Sequence, residues 1–240
     1  TTNTRNIVAL TDLGEPVTLL RPSLWSVLGV PVPANQANTE YAAMSTTYAA
    51  ARNVNHTSSV LDGAGLVGGV DYEKLENARL LSSAEYSVNQ ALGYVSLNVG
   101  INTDQVVAVA YSYTYGGVTY QVGEFAGDRT NVNEALFVKA LKNTDNNPSQ
   151  GNWNLMMKNV YRLGDRVERE RFRLDVKYQS NIDGVDLNYI PEPQVRTKPL
   201  VKLLGADRLD NNNRPNSNGY FDYVEGYTVS NGRVYFPSPE

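Results

Sequence analysis

Apolar and polar residues alternate most regularly where the chain also carries a two-residue glycine turn. Tyr111, Tyr113 and Tyr115 alternate with Ser112 and Thr114 before Gly116-Gly117. Val118, Tyr120 and Val122 alternate with Thr119 and Gln121 after it. A Gly-Gly pair suits the tightest hairpin turn, because both central positions take positive φ. Folding the chain there pairs Tyr115 with Val118, Tyr113 with Tyr120 and Tyr111 with Val122, all on one face, so turn and alternation predict the same register. Asn231-Gly232 predicts a second hairpin, with Val229 opposite Val234 and Tyr227 opposite Phe236. Asp183-Gly184 predicts a third. It joins a strand carrying Phe172, Leu174, Val176 and Tyr178 to one carrying Val185, Leu187 and Tyr189, with Arg171, Arg173, Asp175 and Lys177 facing outward.

Helical spacing is rarer. Tyr41, Met44, Tyr48 and Ala51 suit a short helix between Thr39 and Arg52. A second helix is predicted over 152–163, with Asn152 as N-cap, Gly164 as stop and an apolar stripe of Trp153, Met156, Met157, Val160 and Leu163. Leu136, Val138 and Ala140 alternate like a strand among good helix formers, which leaves 134–142 open between the two. Gly63, Gly65, Gly68 and Gly69 mark a flexible junction, and Ala126-Gly127-Asp128 a possible boundary. The expected fold class is mainly β (α+β): antiparallel β-hairpins forming a sheet or sandwich, with a few short helices. The expected division is 1–65 as an irregular, partly helical segment, 66–128 as a β module, and 129–240 as a second β-rich module.

An approximate repeat runs across these modules. Tyr86-Ser87-Val88 leads through Gly93 into Tyr94-Val95-Ser96-Leu97. Tyr227-Thr228-Val229 leads through Asn231-Gly232 into Arg233-Val234-Tyr235-Phe236. The first copy continues into the Gly116-Gly117 hairpin, while four residues follow the second. An unpartnered strand leaves backbone groups unpaired, so the expectation is a segment of a longer protein. The absence of an initiating Met and of a signal segment agrees with an excised or processed piece.

Composition narrows the chemistry. With 19% charged residues and a formal net charge of -4, nothing in the composition of the 240-residue chain suggests general affinity for nucleic acid or anionic membrane. It has no cysteine, which excludes disulfides, thiolate metal sites and cysteine nucleophiles. No apolar run reaches the roughly 18 residues of a membrane helix. Tyrosine (16) far outnumbers Phe (5) and Trp (2), a balance suited to half-buried sheets and to surfaces that meet partners.

Four local patterns carry possible chemistry. Gly63-Ala64-Gly65-Leu66-Val67-Gly68 fits the dinucleotide fingerprint by letter, but that motif needs a strand before it and a helix after it. His56, the single histidine, lacks a nucleophile elbow or paired metal ligands around it; Asn55-His56-Thr57 is formally a glycosylation acceptor. Asp165 to Arg171 is a mixed charge run that reads as a solvated strand entry. The segment from Asp207 through Asp210, Asn211, Asn212 and Asn213 to Asp222 supplies hard oxygen ligands on a turn-rich loop. Asp207, Asp210 and Asp222 are therefore candidate calcium ligands, and no other cofactor is expected. The competing reading is an Asx-rich turn whose side chains bond their own backbone.

An ordered series of stretches resembles an internal segment of the SprA/Sov family of Bacteroidetes. It comprises Arg5-Asn6-Ile7-Val8-Ala9-Leu10-Thr11-Asp12-Leu13-Gly14-Glu15, Leu75-Glu76-Asn77-Ala78-Arg79-Leu80-Leu81, Glu85-Tyr86-Ser87-Val88 and Leu92-Gly93-Tyr94-Val95-Ser96-Leu97-Asn98. It continues with Val107-Ala108-Val109-Ala110-Tyr111, Tyr120-Gln121-Val122-Gly123-Glu124-Phe125 and Trp153 to Tyr161, and ends with Asp207-Arg208-Leu209-Asp210 and Phe221 to Tyr227. The resemblance covers nearly the whole chain and is weakest over 16–65. It implies a part of a very large outer-membrane protein of the type IX secretion system, also tied to gliding motility, in which a β-barrel carries soluble insertions. It implies no catalytic residues. The implied partners are the rest of the barrel, other secretion-system proteins or exported cargo, with membrane association through the parent protein and the module facing the periplasm or the cell exterior. Val106 to Tyr115 has about the 9–11 residues of a barrel stave. Yet Tyr111, Tyr113 and Tyr120 sit mid-strand, where a lipid-facing band is aliphatic, so a soluble insertion is expected. The alternatives are a calcium- or carbohydrate-binding β-module of a cell-surface protein, motivated by exposed aromatics and the Asp207–Asp222 loop, and a hydrolase using scattered carboxylates.

Overall fold

Ile7-Val8-Ala9-Leu10 is apolar without alternation, as a strand buried on both faces must be. In a computed structural model that describes residues 4–17, 23–90, 93–145, 147–164, 167–180 and 184–237, this stretch is the second strand of a four-stranded sheet. The chain is mainly β and divides into two compact units, Thr1–Met156 and Met157–Glu240.

The first unit contains β1 (Thr4–Leu10), β2 (Tyr72–Arg79), β3 (Tyr86–Asn89), β4 (Tyr94–Leu97), β5 (Val107–Val109), β6 (Tyr111–Tyr115), β7 (Val118–Val122) and β8 (Leu136–Lys142). Its largest sheet has the order β2-β1-β8-β5. β1 runs antiparallel to β2 and parallel to β8, with Ile7 opposite Leu136 and Leu10 opposite Lys139. Val8, Leu10 and Phe137 enter a core on one face with Leu13, Trp25, Met44, Leu61 and Tyr72. Ala9, Leu136, Val138 and Ala140 pack on the other. The open question over 134–142 is resolved as a strand, because β8 lies between β1 and β5 and its side chains are buried on both sides.

The helical expectation at 39–52 holds as α1 (Glu40–Ser45) followed by a 3-10 turn at Ala49–Arg52, with Met44 and Ala51 fully buried. A further helix, α2 (Thr57–Gly63), has little apolar pattern of its own; it is held by buried Leu61 and by Thr57, whose hydroxyl donates to the Ala51 carbonyl at 2.7 Å.

The Gly116-Gly117 hairpin is β6 paired with β7 in the expected register, Tyr115 to Val118, Tyr113 to Tyr120 and Tyr111 to Val122. Both turn glycines have positive φ, 59° and 80°. The ring of Tyr113 stacks between Tyr111 and Tyr120, with centroids 6.0 and 5.6 Å away. The expected continuous strand from Val106 to Tyr115 breaks at Ala110: β5 pairs with β8, and β6 turns to a separate ladder. Gly123 sets this departure, since a Cβ there would lie 3.2 Å from Ala110 Cβ and 3.3 Å from Val138 Cα.

Gly14 carries the tightest contact at the base of this hairpin. Its φ is 74°, and an added Cβ would lie 2.7 Å from Val122 Cγ1. Gly14→Ala should cost about 1–2 kcal/mol in left-handed strain plus an overpacking penalty of about 1–3 kcal/mol. Gly116→Ala has comparable strain and open space around it. Urea unfolding followed by tryptophan fluorescence should place Gly14→Ala clearly below Gly116→Ala; equal midpoints would show that the Val122 contact has no cost.

The second unit contains β9 (Val160–Arg162), β10 (Tyr178–Gln179), β11 (Asp186–Leu187), β12 (Val229–Ser230) and β13 (Arg233–Tyr235), with α3 (Leu200–Leu203). The Asn231-Gly232 hairpin has the expected Val229–Val234 pair, but not the expected Tyr227–Phe236 pair: Tyr227 sits in a turn, its N–H donating to the Val224 carbonyl, and is 80% exposed, while Phe236 packs against the core. Here the reading of the repeat needs correction. β13 is not left open: β9 pairs along its other side, Tyr161 opposite Val234, in a sheet of order β12-β13-β9.

β9 also overturns the helix expected over 152–163. Residues Gly151–Leu155 form a 3-10 turn, Met156 is extended, and Val160–Arg162 is a strand. Leu163 then donates its N–H to the Gly232 carbonyl at 2.8 Å. The apolar stripe spans two units rather than one helix face, and Met156 and Met157 are exposed. Pairing with a strand 70 residues later outweighs a local helical pattern.

The turn expected at Asp183-Gly184 lies partly outside the described residues. β10 and β11 flank it with Tyr178 opposite Leu187. Phe172, Leu174 and Val176 form no ladder, although their inward and outward alternation is kept. Phe172 packs edge-on to Tyr223, with centroids 5.0 Å apart, beside Phe221 in the core with Val201, Val229 and Val234.

The three-part division at 65 and 128 also differs from the structure. β1 comes from the expected first segment, β2 and β5 from the second and β8 from the third, yet all four share one sheet. The break between compact units falls at Met156.

Candidate functional site

The Asp207–Asp222 loop reaches the surface from the C-terminal side of α3, and its three candidate ligands turn toward their own backbone. Asp207 is 4% exposed. Its carboxylate accepts from the Ser217 hydroxyl at 2.6 Å, the Asn218 N–H at 2.8 Å and the Gly219 N–H at 3.1 Å. Asp222 accepts from the N–H groups of Arg208 and Leu209 at 2.6 and 3.1 Å. Asp210 Oδ1 accepts from Asn212 and Arg214 N–H at 2.8 and 2.9 Å. Each carboxylate is thus met by donors, the reverse of what a cation needs from it. Among the described residues no group of three acidic or histidine side chains converges to hold a metal. The Asx-turn geometry is the one these hydrogen bonds build.

Asp207→Ala should leave three part-buried donors without their acceptor, costing the second unit about 1 kcal/mol. Millimolar calcium should leave the melting temperature of the intact chain unchanged. A calcium-dependent rise abolished in Asp207→Ala would restore the metal reading.

Asp210 and Asp222 also line a cleft of about 420 Å3 with Arg169, Arg171, Arg173 and Phe172. Arg171 has φ 65° and Asn213, across the loop, has φ 58°. Of the charge run read as a strand entry, Asp165 and Arg166 lie outside the described residues, and Arg169 and Arg171 line this cleft.

The other patterns meet different fates. The Gly63–Gly68 fingerprint begins at the last residue of α2 instead of opening a helix. His56 is exposed at the start of α2. Thr57 is buried, which hides one residue of the Asn55-His56-Thr57 acceptor.

The strongest electrostatics lie in the first unit, in two centres that local sequence does not announce. In the first, Glu124 has a 1% exposed side chain between Arg52 and Arg129. Arg52 grips both carboxylate oxygens at 2.7 Å. Tyr41 and Arg129 donate to Oε1 at 3.0 and 3.2 Å, and the Phe137 N–H donates to Oε2 at 3.0 Å. The Arg52 guanidinium lies 3.9 Å from the centre of the Phe137 ring. Burial pushes the Glu124 carboxyl up, but the hydrogen bonds from Arg52 and Phe137, the Arg52 charge and the Tyr41 hydroxyl outweigh it and hold it below the ordinary value. With both oxygens filled, this group is a structural charge rather than a general base.

In the second centre Lys139, 3% exposed, pairs with Glu15 at 2.6 Å and donates to the Thr11 carbonyl. Glu40 is fully buried in the first turn of α1 and its Oε2 has no hydrogen-bond partner. Burial first, then Asp12, with smaller effects of Asp71 and Glu15, raises its pKa well above the ordinary value; Lys139 opposes them. Asn38 fixes the loop above it, donating to the carbonyls of Asp12 and Glu15 and accepting from Glu40 N–H.

Among the described residues no helix is long and apolar enough to cross a membrane. Neither a scan of protein families nor a search of curated proteins finds a match to this chain.

Proposed function

We propose that this chain is a non-catalytic soluble module of a large outer-membrane protein-export translocon of the type IX secretion and gliding-motility kind, where it serves as a cap, plug or partner-contact domain. The observation that carries this reading is where the resembling stretches fall. Arg5 to Glu15 forms β1 and the buried Thr11, Asp12, Leu13 and Gly14 beyond it. Tyr120 to Phe125 holds Val122 and Glu124. Asp207 to Asp210 and Phe221 to Tyr227 hold the Asx loop and two aromatic core residues of the second unit. These stretches supply core and loop positions of both units, whereas others of the series carry exposed side chains, among them Leu80, Val88 and Tyr161. Exposed apolar side chains at the tip of the β6–β7 hairpin, Tyr115 at 63% and Val118 at 52%, suit contact with the rest of the translocon, a partner or cargo.

Deleting the segment from its full-length protein should block export of type IX cargo. Replacing Tyr115 and Val118, both exposed, by Lys should weaken it. Normal secretion in both strains would remove the proposal.

A second reading, a carbohydrate-binding β-module of a cell-surface protein, draws on the 420 Å3 cleft, where Tyr220 stands 57% exposed beside Asn211 and Asn218. Binding on a glycan array that is lost in Tyr220→Ala would favour it; a silent array would dismiss it.

A further inference from the structure

A cleft of about 640 Å3 opens beside the Arg52–Glu124 pair in the first unit. Two stretches of identical sequence, Asn53-Val54-Asn55 and Asn131-Val132-Asn133, give it four asparagines. Both are Asx turns: the first Asn accepts the N–H of the second through Oδ1, at 3.1 Å in each. The backbone is fixed in this way, while the carboxamides of Asn55 and Asn133 have no partner among the described residues.

The charges are unequal at the cleft floor. Arg52 and Arg129 both border it and share one buried carboxylate, Glu124. Arg52 takes both oxygens; Arg129 makes one bond of 3.2 Å and remains 30% exposed. One guanidinium charge is left without a full partner. Glu134 at the rim does not supply it, because its carboxylate accepts from Asn131 Nδ2 at 3.3 Å and forms no ion pair among the described residues.

We propose that this cleft binds an extended peptide through a single acidic side chain, whose carboxylate is held by Arg129 while the carboxamides of Asn55 and Asn133 pair with its peptide groups. A guanidinium with free N–H groups is matched to a carboxylate. A carboxamide carries the donor and acceptor of a peptide group. The protein uses that match internally: Asn35 donates to the Gly123 carbonyl at 3.2 Å and accepts its N–H at 2.8 Å. No aromatic ring lines the cleft among the described residues, so a sugar would find no stacking surface. Glu134 disfavours a densely charged anion. The need for a carboxylate rests on the charge count, whereas the choice of a peptide also rests on the export reading above.

The test is titration of the intact 240-residue chain with acetyl-Ala-Asp-Ala-amide, acetyl-Ala-Asn-Ala-amide and trigalacturonate, followed by amide NMR shifts. The aspartyl peptide should give saturable shifts confined to residues 45–55 and 129–134. The asparaginyl peptide, and the aspartyl peptide with Arg129→Gln, should bind about tenfold more weakly, the loss of one charge-assisted contact. Asn133→Ala should weaken the aspartyl peptide while leaving the spectrum otherwise unchanged. Equal binding of the two peptides, no binding, or indifference to Arg129→Gln would overturn the proposal. Tighter binding of trigalacturonate would reassign the carboxylate to an acidic sugar and overturn the peptide assignment. Peptide binding with normal export after segment deletion would sink the translocon reading alone.

Discussion

Glu124→Ala should destabilise the first unit by about 3–5 kcal/mol, the usual result of removing one partner from a buried ion pair. The loss has three parts. Arg52, 6% exposed, keeps its charge but loses the carboxylate that grips it at two points. The Phe137 N–H loses its side-chain acceptor, although it sits in the middle of the sheet. The Tyr41 hydroxyl loses the bond that ties α1 to the strand region. Coulombic attraction alone does not set the magnitude, because bringing the pair out of water costs nearly as much as the attraction returns. The asymmetry of breaking the pair sets it. Arg52→Met combined with Glu124→Leu should therefore recover a large part of what Glu124→Ala loses. Trp25 and Trp153 both lie in the first unit, so fluorescence-monitored urea unfolding reports on it directly. A Glu124→Ala loss under about 1 kcal/mol, the range of an exposed pair, would show that the site is wet and the pair dispensable.

Glu40→Gln should act in the opposite direction and depend on pH. The folded pKa of Glu40 lies well above its ordinary 4.5. A group of that kind gives its full stabilisation below the unfolded pKa, and this is lost as pH rises through the folded pKa. From about pH 4.5 upward, folding therefore either keeps a proton on Glu40 or leaves a carboxylate buried beside Asp12, Asp71 and Glu15, with Lys139 as the opposing charge. Glutamine removes the ionisation and places amide hydrogens among neighbouring carboxylates. The variant should match the parent near pH 4 and exceed it at pH 7 by about 1–3 kcal/mol, the cost of a buried unsatisfied polar group. Glu124 works with the contrary sign. Its folded pKa is depressed, so its contribution is present above the unfolded value and is lost as pH falls through the folded one. Of these two groups, Glu40 contributes most below its unfolded value and Glu124 most above its own. Denaturation midpoints at pH 4, 5.5, 7 and 8.5 measure both effects. Parallel pH profiles for Glu40→Gln and the parent would mean that Glu40 does not titrate between the two states.

Lys139 ties the second centre to the sheet. It occupies a core-facing position of β8, opposite Leu10 of β1, where an apolar side chain is the ordinary choice. Its ammonium is tolerable there because Glu15 and the Thr11 carbonyl meet it in the loop that follows β1. The same loop contains Gly14 and is capped by Asn38. One short stretch after β1 thus carries the steric and the electrostatic constraints of the first unit.

Two hairpins were legible in the sequence because everything that specifies them is local. Gly116-Gly117 and Asn231-Gly232 carry the positive φ their turns require, and alternation on both sides fixes the register within about a dozen residues. The mainly β class and the short helix at Met44 follow from the same local periodicities. The Asx loop was legible in both of its readings, and hydrogen-bond direction separates them: every contact reaching Asp207, Asp210 and Asp222 described above comes from an N–H or O–H. What could not be read depends on residues distant in the chain. The parallel β1–β8 pair joins segments about 130 residues apart, and β9 finds β13 after a gap of about 70. Residues 152–163 show an apolar period that helices and split segments share. Arg52 and Glu124 are single charges in unremarkable surroundings, 72 residues apart.

The sequence by itself determined the Gly116-Gly117 hairpin with its register and the Val229–Val234 pair of the Asn231-Gly232 hairpin, because turn geometry and side-chain alternation act within one turn or one strand pair. The tertiary structure decided which strands share a sheet, that the second copy of the repeat is closed by β9, and that Arg52, Glu124, Glu40 and Lys139 are buried. Burial and charge pairing are sums over neighbours from the whole chain. The same residues would be ordinary solvated charges until the β2-β1-β8-β5 sheet encloses them.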